Sequence, residues 1–304
     1  MVNARKKKID NTYLSLALAT QRGFVHRDYA AHYFRWSSVL RILGTKPHDL
    51  LDVGCGREAP LAAMLYSNRR TFVKYVGVDH GPIDPVIDFP GEYKPTFIPH
   101  TDFMDLLDAQ FDGLFTDGHP DVITCFEVLE HVEPDHAFRM LRRMREVLRY
   151  GGRVMLSTPC YDSKVGPADN HVNELSYHTL GQMIESAGFR VADNWGTFAS
   201  QSDYKKALIE RFGTVGVDMF NRLGDAFDSS VISNVFATFW PELSRNVFWV
   251  LRRDDDDAVA GSKRFQPWES AKEYDEVGRK RGSSEDAEAW QRLDALIYDI
   301  DVNS

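Results

Sequence analysis

The sequence is poor in cysteine and has no long apolar run. Its 304 residues include three cysteines, Cys55, Cys125 and Cys160, and their spacing matches no zinc-binding pattern. We interpret them as reduced thiols, which are typical of the cytoplasm. No apolar run approaches the roughly 20 residues that a membrane-spanning helix requires, and the basic start of the chain lacks the apolar core of a signal peptide. We therefore expect a cytoplasmic protein that does not enter a membrane.

A surplus of positive charge is also missing. The formal net charge of −9 argues against a surface that coats nucleic acid, although it leaves room for a local basic patch. We interpret the basic stretch at residues 5–8 as a solvated terminus, so a nucleic-acid partner is not favoured. With 43% hydrophobic and 27% charged residues, the composition is that of a globular protein with one large domain and appendages.

Apolar strands and amphipathic helices alternate along most of the chain. Strands are predicted at 49–54, 74–79, 96–99, 121–126, 153–157, 191–198 and 246–251. This alternation predicts an α/β fold, with a mostly parallel seven-stranded sheet and helices on both faces. We divide the chain into an N-terminal helical segment at 1–45, a main domain at 46–253 and a polar tail at 254–304 with one amphipathic helix. A helical insertion at 200–243 precedes the last strand.

Acidic residues follow four of the predicted strands. Asp52, Asp79, Asp102 and Glu127 each stand where a strand ends. Parallel α/β sheets bind their ligands at the carboxyl ends of the strands. The turn Gly54-Cys55-Gly56 follows Asp52, and its glycines allow the backbone to approach a ligand closely. The sequence therefore predicts a nucleotide-like ligand at this edge of the sheet.

The position of Asp52 discriminates between two such ligands. Residues 54–59 satisfy the dinucleotide pattern G-x-G-x-x-A, which alone is a weak signal. A carboxylate beside the turn is a poor neighbour for the pyrophosphate of NAD. It suits S-adenosylmethionine, which has no phosphate and carries a positive amino group and a positive sulfonium. We therefore predict S-adenosylmethionine as the cofactor and keep an NAD-binding oxidoreductase as an alternative.

Individual roles follow for the residues at these strand ends. We expect Asp79 to accept hydrogen bonds from both ribose hydroxyls and Asp102 to bind the adenine amino group. Each has a structural alternative, since Asp79 could cap a helix and Asp102 could start a short one. The remaining residues that we assign to the cofactor site are Gly54, Cys55, Gly56, His80, Phe103 and Glu127, together with Asp52.

Three motifs carry a resemblance to a known family. Residues 52–56 resemble motif I of class I S-adenosylmethionine-dependent methyltransferases, and residues 126–132 (FEVLEHV) resemble motif IV of their ubiquinone-biosynthesis-type branch. Residues 148–152 are similar to the L-x-P-G-G turn of the family, with Tyr150 in place of proline. The resemblance covers about 48–199 and 246–251, and it implies a Rossmann-like methyltransferase fold. Glu58 departs from it, because many members carry a third glycine there.

Methyl transfer is an in-line displacement, so the protein mainly aligns the attacking atom with the methyl carbon. A base is needed when the acceptor is a hydroxyl. We predict His131 as this base, with Glu130 and His171 as catalytic partners on the acceptor side of the cleft. The alternative is that His131 only packs against the next helix and orders its loop.

The same residues suggest a competing metal-dependent reading. Glu127-x-x-Glu130-His131 with a later histidine resembles the divalent-metal site of small-RNA 3′-terminal 2′-O-methyltransferases, and His171-x-x-Glu174 lies where a fourth ligand would be. This mixed oxygen and nitrogen set suits Mg²⁺ or Mn²⁺ no better than a hydrogen-bonded loop. We predict that no metal is required. A protein that keeps the cofactor fold without catalysis is the other alternative.

The aromatic insertion at 200–243 is the expected source of acceptor specificity. The alternative is that its aromatic stripe, which has helical spacing, belongs to the core. We predict that the acceptor is a small or nucleotide-like molecule that is methylated at a hydroxyl or an amine. The sequence makes no prediction about the oligomeric state.

Overall fold

Seven strands pair into one sheet in this computed structural model, which describes residues 27–68, 74–93, 95–109, 111–161, 166–198, 201–227, 232, 234–235 and 237–253. In chain order the strands are β1 (Asp49–Val53), β2 (Lys74–Val78), β3 (Thr96–Ile98), β4 (Val122–Phe126), β5 (Arg153–Pro159), β6 (Phe189–Phe198) and β7 (Asn246–Arg253). They are arranged β3-β2-β1-β4-β5-β7-β6. Strands β1 to β5 are parallel to one another, whereas β7 is antiparallel to both β5 and β6. The predicted fold class is confirmed.

One helix precedes β1, and other helices lie between the strands. They are α1 (Arg27–Leu43), α2 (Pro60–Ser67), α3 (Phe103–Ala109), α4 (Pro134–Val147), α5 (Tyr177–Ser186) and α6 (Gln201–Ala226). Pro134 begins α4 at the position where a missing N–H costs nothing. Ser176 caps α5 because its Oγ accepts a hydrogen bond from the Thr179 amide at 3.1 Å. The predicted basic stretch at 5–8 and the amphipathic tail helix lie outside the described residues.

The sheet has a hydrophobic core on each face. Side chains alternate between the two faces along β1, so Leu51 and Val53 enter one core while Leu50 enters the other. Phe138 and Leu141 of α4 cover the first core, and α1 and α2 cover the second. Each fully buried large side chain contributes about 1.5–3 kcal/mol relative to its exposed state. Packing in the two cores fixes the positions of the strand ends relative to one another.

The carboxyl ends of the parallel strands meet at one edge of the sheet. Because β7 runs the opposite way, its first residue, Asn246, lies beside Pro159 at the same edge. The connection between β6 and β7 contains α6, whose helical conformation is interrupted at Gly213. Among the described residues, no helix is both long and apolar enough to cross a membrane.

Candidate active site

The glycine turn after β1 folds over the end of β2. Gly54 and Gly56 have φ angles of 71° and 74°, which favour glycine. The amides of Gly54 and Cys55 donate to the carbonyl of Val78 at 2.9 and 3.1 Å. A Cβ atom on Gly54 would lie 2.3 Å from Cγ2 of Val128, so this position also lacks room for a side chain. The turn is a tight, partly buried loop just before α2.

Asp79 braces this turn from the end of β2. Its Oδ2 accepts from the Gly56 amide at 2.9 Å, and its Oδ1 accepts from the Gly81 amide at 2.8 Å. A carboxylate has about four lone-pair positions, so capacity remains for the hydroxyls of a ribose. His80 points to solvent, and its Nδ1 lies 3.5 Å from Oδ1 of Asp79. The ribose contact expected of Asp79 stays a prediction.

Asp52 lies beneath the turn and is buried. It accepts hydrogen bonds from the Tyr75 hydroxyl on β2 and, at 2.7 Å, from Oγ1 of Thr124 on β4. Burial raises the pKa of Asp52 to about 6, and the hydrogen bonds from Tyr75 and Thr124 limit the rise. A cation bound above the turn would stabilise the ionised form. The contact expected between Asp52 and a cofactor stays a prediction.

Three other predicted cofactor residues are partly or wholly occupied by structural contacts. Cys55 packs against Gly77, and burial raises the pKa of its thiol, which makes the sulfur unreactive. Oδ1 of Asp102 accepts from the Met104 amide at 2.8 Å, as expected of a residue that starts α3. Phe103 is only 3% exposed, within the core. Their contacts with a cofactor stay predictions.

Glu127, directly after β4, sits at the centre of a polar network. It adopts a left-handed φ of 59°. Its carboxylate accepts from Oγ of Ser157 at 2.8 Å and from Nδ2 of Asn246 at 2.9 Å, and it is ion-paired with Arg35 of α1. Burial alone would raise the pKa of Glu127, but Arg35, Asn246 and Ser157 together lower it. Glu127 is therefore held as a carboxylate.

Sequence reasoning missed Arg35 and Asn246. Arg35 lies four residues from both Ala31 and Val39, which are fully buried, and its own exposure is 2%. An arginine on the buried face of an amphipathic helix needs a charged partner. The position of Arg35 on the buried face of this helix therefore indicated an ion pair, although the sequence does not show which carboxylate is the partner.

The turn after β4 also positions Glu130. Its Oε2 accepts from Oγ1 of Thr158 at 3.0 Å, and its backbone carbonyl accepts from the amides of Val172 and Asn173. Burial, and then repulsion from Glu127, raise the pKa of Glu130 well above its ordinary value. Glu130 thus joins the turn to the loop that follows β5.

This junction brings His131 and His171 together, as the sequence predicted for the acceptor side. Their ring centroids are 5.0 Å apart and nearly perpendicular. Nδ1 of His131 lies 3.0 Å from the carbonyl of Asn170, which can only accept, so this nitrogen carries a proton. Burial, assisted by the nearby His171, lowers the pKa of His131. His131 is therefore neutral near pH 7, with a lone pair on Nε2.

These residues also form a group that a metal ion could use. One donor atom each from Glu130, His131 and His171 lie within 4.8 Å of one another. Glu127, the further ligand in the metal-dependent reading, is instead bound by Arg35.

Comparisons with known proteins agree with this architecture. A family model described as "Methyltransferase domain" matches residues 25–208. A protein from Mycolicibacterium smegmatis, described as a probable S-adenosylmethionine-dependent methyltransferase, is 28% identical over 157 residues, which are 49% of this chain and 55% of the relative. The chain thus spans about half the length of this curated relative.

Two solved structures illustrate the structural neighbours. A SAM-dependent methyltransferase from Archaeoglobus fulgidus has 16% identity and a TM-score of 0.46, covering 78% of this chain and 100% of that one. The Burkholderia thailandensis 1,6-didemethyltoxoflavin-N1-methyltransferase, with bound S-adenosylhomocysteine, has 15% identity and a TM-score of 0.43 over 80% and 93%.

Proposed function

The chain belongs to the methyltransferase domain family, and we propose that it transfers a methyl group from S-adenosylmethionine to a hydroxyl or amine of a small or nucleotide-like acceptor. The family model covers more than half of the chain, which confirms the methyltransferase class that the motifs predicted. We place this activity in the cytoplasm, in line with three free and buried cysteines. The ubiquinone-biosynthesis-type branch is part of the proposal and rests on residues 126–132.

One observation carries the cofactor side of the proposal. The glycine turn and the Asp79 carboxylate are joined by a direct hydrogen bond at the carboxyl edge of the sheet, and the buried Asp52 lies beneath them. The Asp52 carboxylate would repel a pyrophosphate held at the turn, whereas it attracts the amino group and sulfonium of S-adenosylmethionine. The geometry therefore favours this cofactor over NAD.

The acceptor side is supported by the two histidines. They lie on the connections after β4 and β5, whereas the glycine turn follows β1. A neutral imidazole can accept the proton that a hydroxyl loses as it attacks the methyl carbon. Alignment of that hydroxyl with the sulfonium methyl supplies the rest of the rate enhancement. We therefore favour a hydroxyl over an amine as the attacking group.

Replacing Asp79 with alanine is expected to weaken the binding of S-adenosylmethionine and S-adenosylhomocysteine by roughly 1–3 kcal/mol, because a charged hydrogen-bond acceptor is lost. Isothermal titration calorimetry measures both affinities directly. The exposed Asp88 offers a matched control, since Asp88→Asn removes a carboxylate away from the strand ends. Binding of NAD without binding of S-adenosylmethionine would sink the proposal.

We also propose that the reaction needs no metal ion. Glu127 is occupied by Arg35, Ser157 and Asn246, so one carboxylate of the metal-dependent set already has other partners. Methyl transfer into a cell extract should therefore be unchanged after dialysis against EDTA. Activity that disappears with EDTA and returns with Mn²⁺ or Mg²⁺ would contradict this proposal. It would support the alternative of a metal-dependent RNA 2′-O-methyltransferase.

The acceptor itself is best sought with isotope-labelled cofactor. Incubation with methyl-labelled S-adenosylmethionine and cell extract should transfer the label to a small molecule. Label that becomes acid-soluble only after nuclease treatment would point to nucleic acid instead. If the chain binds the cofactor but labels nothing in any extract, the result supports the alternative of a protein that keeps the cofactor fold without catalysis.

A further inference from the structure

Glu174, on the loop after β5, forms a close pair with His171, and the reaction scheme above gives this glutamate no role. Nδ1 of His171 lies 2.7 Å from Oε1 of Glu174, and both side chains are largely buried, with 12% and 7% exposure. The same Oε1 accepts a hydrogen bond from the Ala168 amide at 2.9 Å. The loop therefore holds this carboxylate in place before any ligand arrives.

The contact determines which ring nitrogen carries the proton. Because Oε1 of Glu174 already acts as an acceptor toward the Ala168 amide, it also accepts from His171, and the proton is on Nδ1. Nε2 of His171 then has a free lone pair. A carboxylate that orients an imidazole in this way also stabilises the imidazolium that forms when the ring takes a proton.

We propose that Glu174 is a positioning residue that holds His171 in the Nδ1–H form, so that Nε2 of His171 takes the proton from a hydroxyl acceptor. This rests on the proposed function. As the acceptor oxygen bonds to the methyl carbon, the carbon–sulfur bond breaks and its electron pair stays on sulfur, giving neutral S-adenosylhomocysteine. The hydroxyl proton moves to Nε2, and the new positive charge lies next to the Glu174 carboxylate.

His131 complements this pair. Its ring lies edge-on to His171, and its Nδ1 is committed to the Asn170 carbonyl. A second imidazolium 5.0 Å away would oppose protonation of His171, so the neutral state of His131 favours proton transfer. In this assignment His171 is the base, and the neighbouring neutral His131 supports it.

The test uses the full-length chain with ¹⁵N-labelled histidine rings and added S-adenosylhomocysteine. The His171 signal is identified by its loss in His171→Gln. We expect wild-type His171 in the Nδ1–H form. Glu174→Gln keeps this form, because the amide oxygen still accepts, whereas Glu174→Ala shifts the ring toward the Nε2–H form. Asp88→Asn leaves the ring unchanged.

The same variants are then compared for label transfer into cell extract. Glu174→Ala should lower the rate by about 100-fold and Glu174→Gln by about tenfold, since a positioned base contributes about 10²–10⁴-fold. An Nε2–H ring in the wild type, or a wild-type rate in Glu174→Gln, overturns the proposal. If Glu174→Ala does not fold, the ring form of the wild type and the rate of Glu174→Gln still test the proposal. Failure of the wild type to bind S-adenosylhomocysteine overturns the proposed function instead. The protonated nitrogen of His171 can still be determined in that case.

Discussion

Replacing His171 with alanine is expected to slow methyl transfer by about 10²–10⁴-fold, the range for loss of a positioned base, whereas His131→Ala should lower the rate less; both variants should leave cofactor affinity nearly unchanged. The two rings lie on the connections after β4 and β5, and the glycine turn that we assign to the cofactor is braced separately by Asp79. This separation predicts the pattern of lost transition-state interactions rather than lost ground-state binding. Single-turnover transfer and calorimetry with S-adenosylhomocysteine measure the two quantities.

The control for these variants is His48→Gln. His48 precedes β1 at the opposite edge of the sheet, where its Nε2 contacts the carbonyl of Leu43. Its replacement should leave both rate and affinity unchanged. Full turnover in both alanine variants, or loss of affinity in proportion to rate, would reassign His131 and His171 as structural residues of their loops.

Replacing Arg35 with leucine is expected to lower the free energy of unfolding by about 3 kcal/mol. Removing one partner of a buried ion pair leaves the other charge uncompensated, which costs about 3–5 kcal/mol, and the lower end applies because a quarter of the Glu127 side chain is exposed. Glu127 also has a left-handed backbone, so its carboxylate contacts help to hold the turn before Glu130. Urea unfolding followed by circular dichroism measures the change.

The double variant Arg35→Leu with Glu127→Gln separates charge from packing. If the unpaired carboxylate causes the loss, the neutral glutamine should restore part of the stability, because it can still bond to Ser157 and Asn246. A double variant that is less stable than Arg35→Leu would show that the ion pair is not the source.

Local sequence patterns predicted most of the elements. The spacing of Phe138, Leu141 and Met144 is typical of a helix such as α4, a hydroxyl such as that of Ser176 or Thr179 is typical of the start of α5, and the apolar runs predicted all seven strands. These signals work because each depends on neighbours a few residues away, such as a capping hydroxyl or one face of a helix. The convergence of acidic strand ends was predictable for the same reason, since parallel strands end at a common edge.

Contacts between distant segments were not predictable. Periodicity identified the last strand but contains no direction, so the antiparallel insertion of β7 between β5 and β6 was missed. Tyr75 and Thr124 reach Asp52 only because of strand register, in which Asp52 lies beside Gly77 on β2 and beside Thr124 on β4. The burial of Asp52 beneath the turn, rather than on its surface, depends on that register.

The reversed direction of β7 also bears on how such a protein can diversify. The connection from β6 starts at Phe198 and returns at Asn246, and both residues lie at the carboxyl edge, paired with each other. A segment that leaves and re-enters at one point can grow or shrink without shifting the register of any strand. Descendants of this chain could therefore vary the length of this segment while the strands and the glycine turn after β1 are inherited intact.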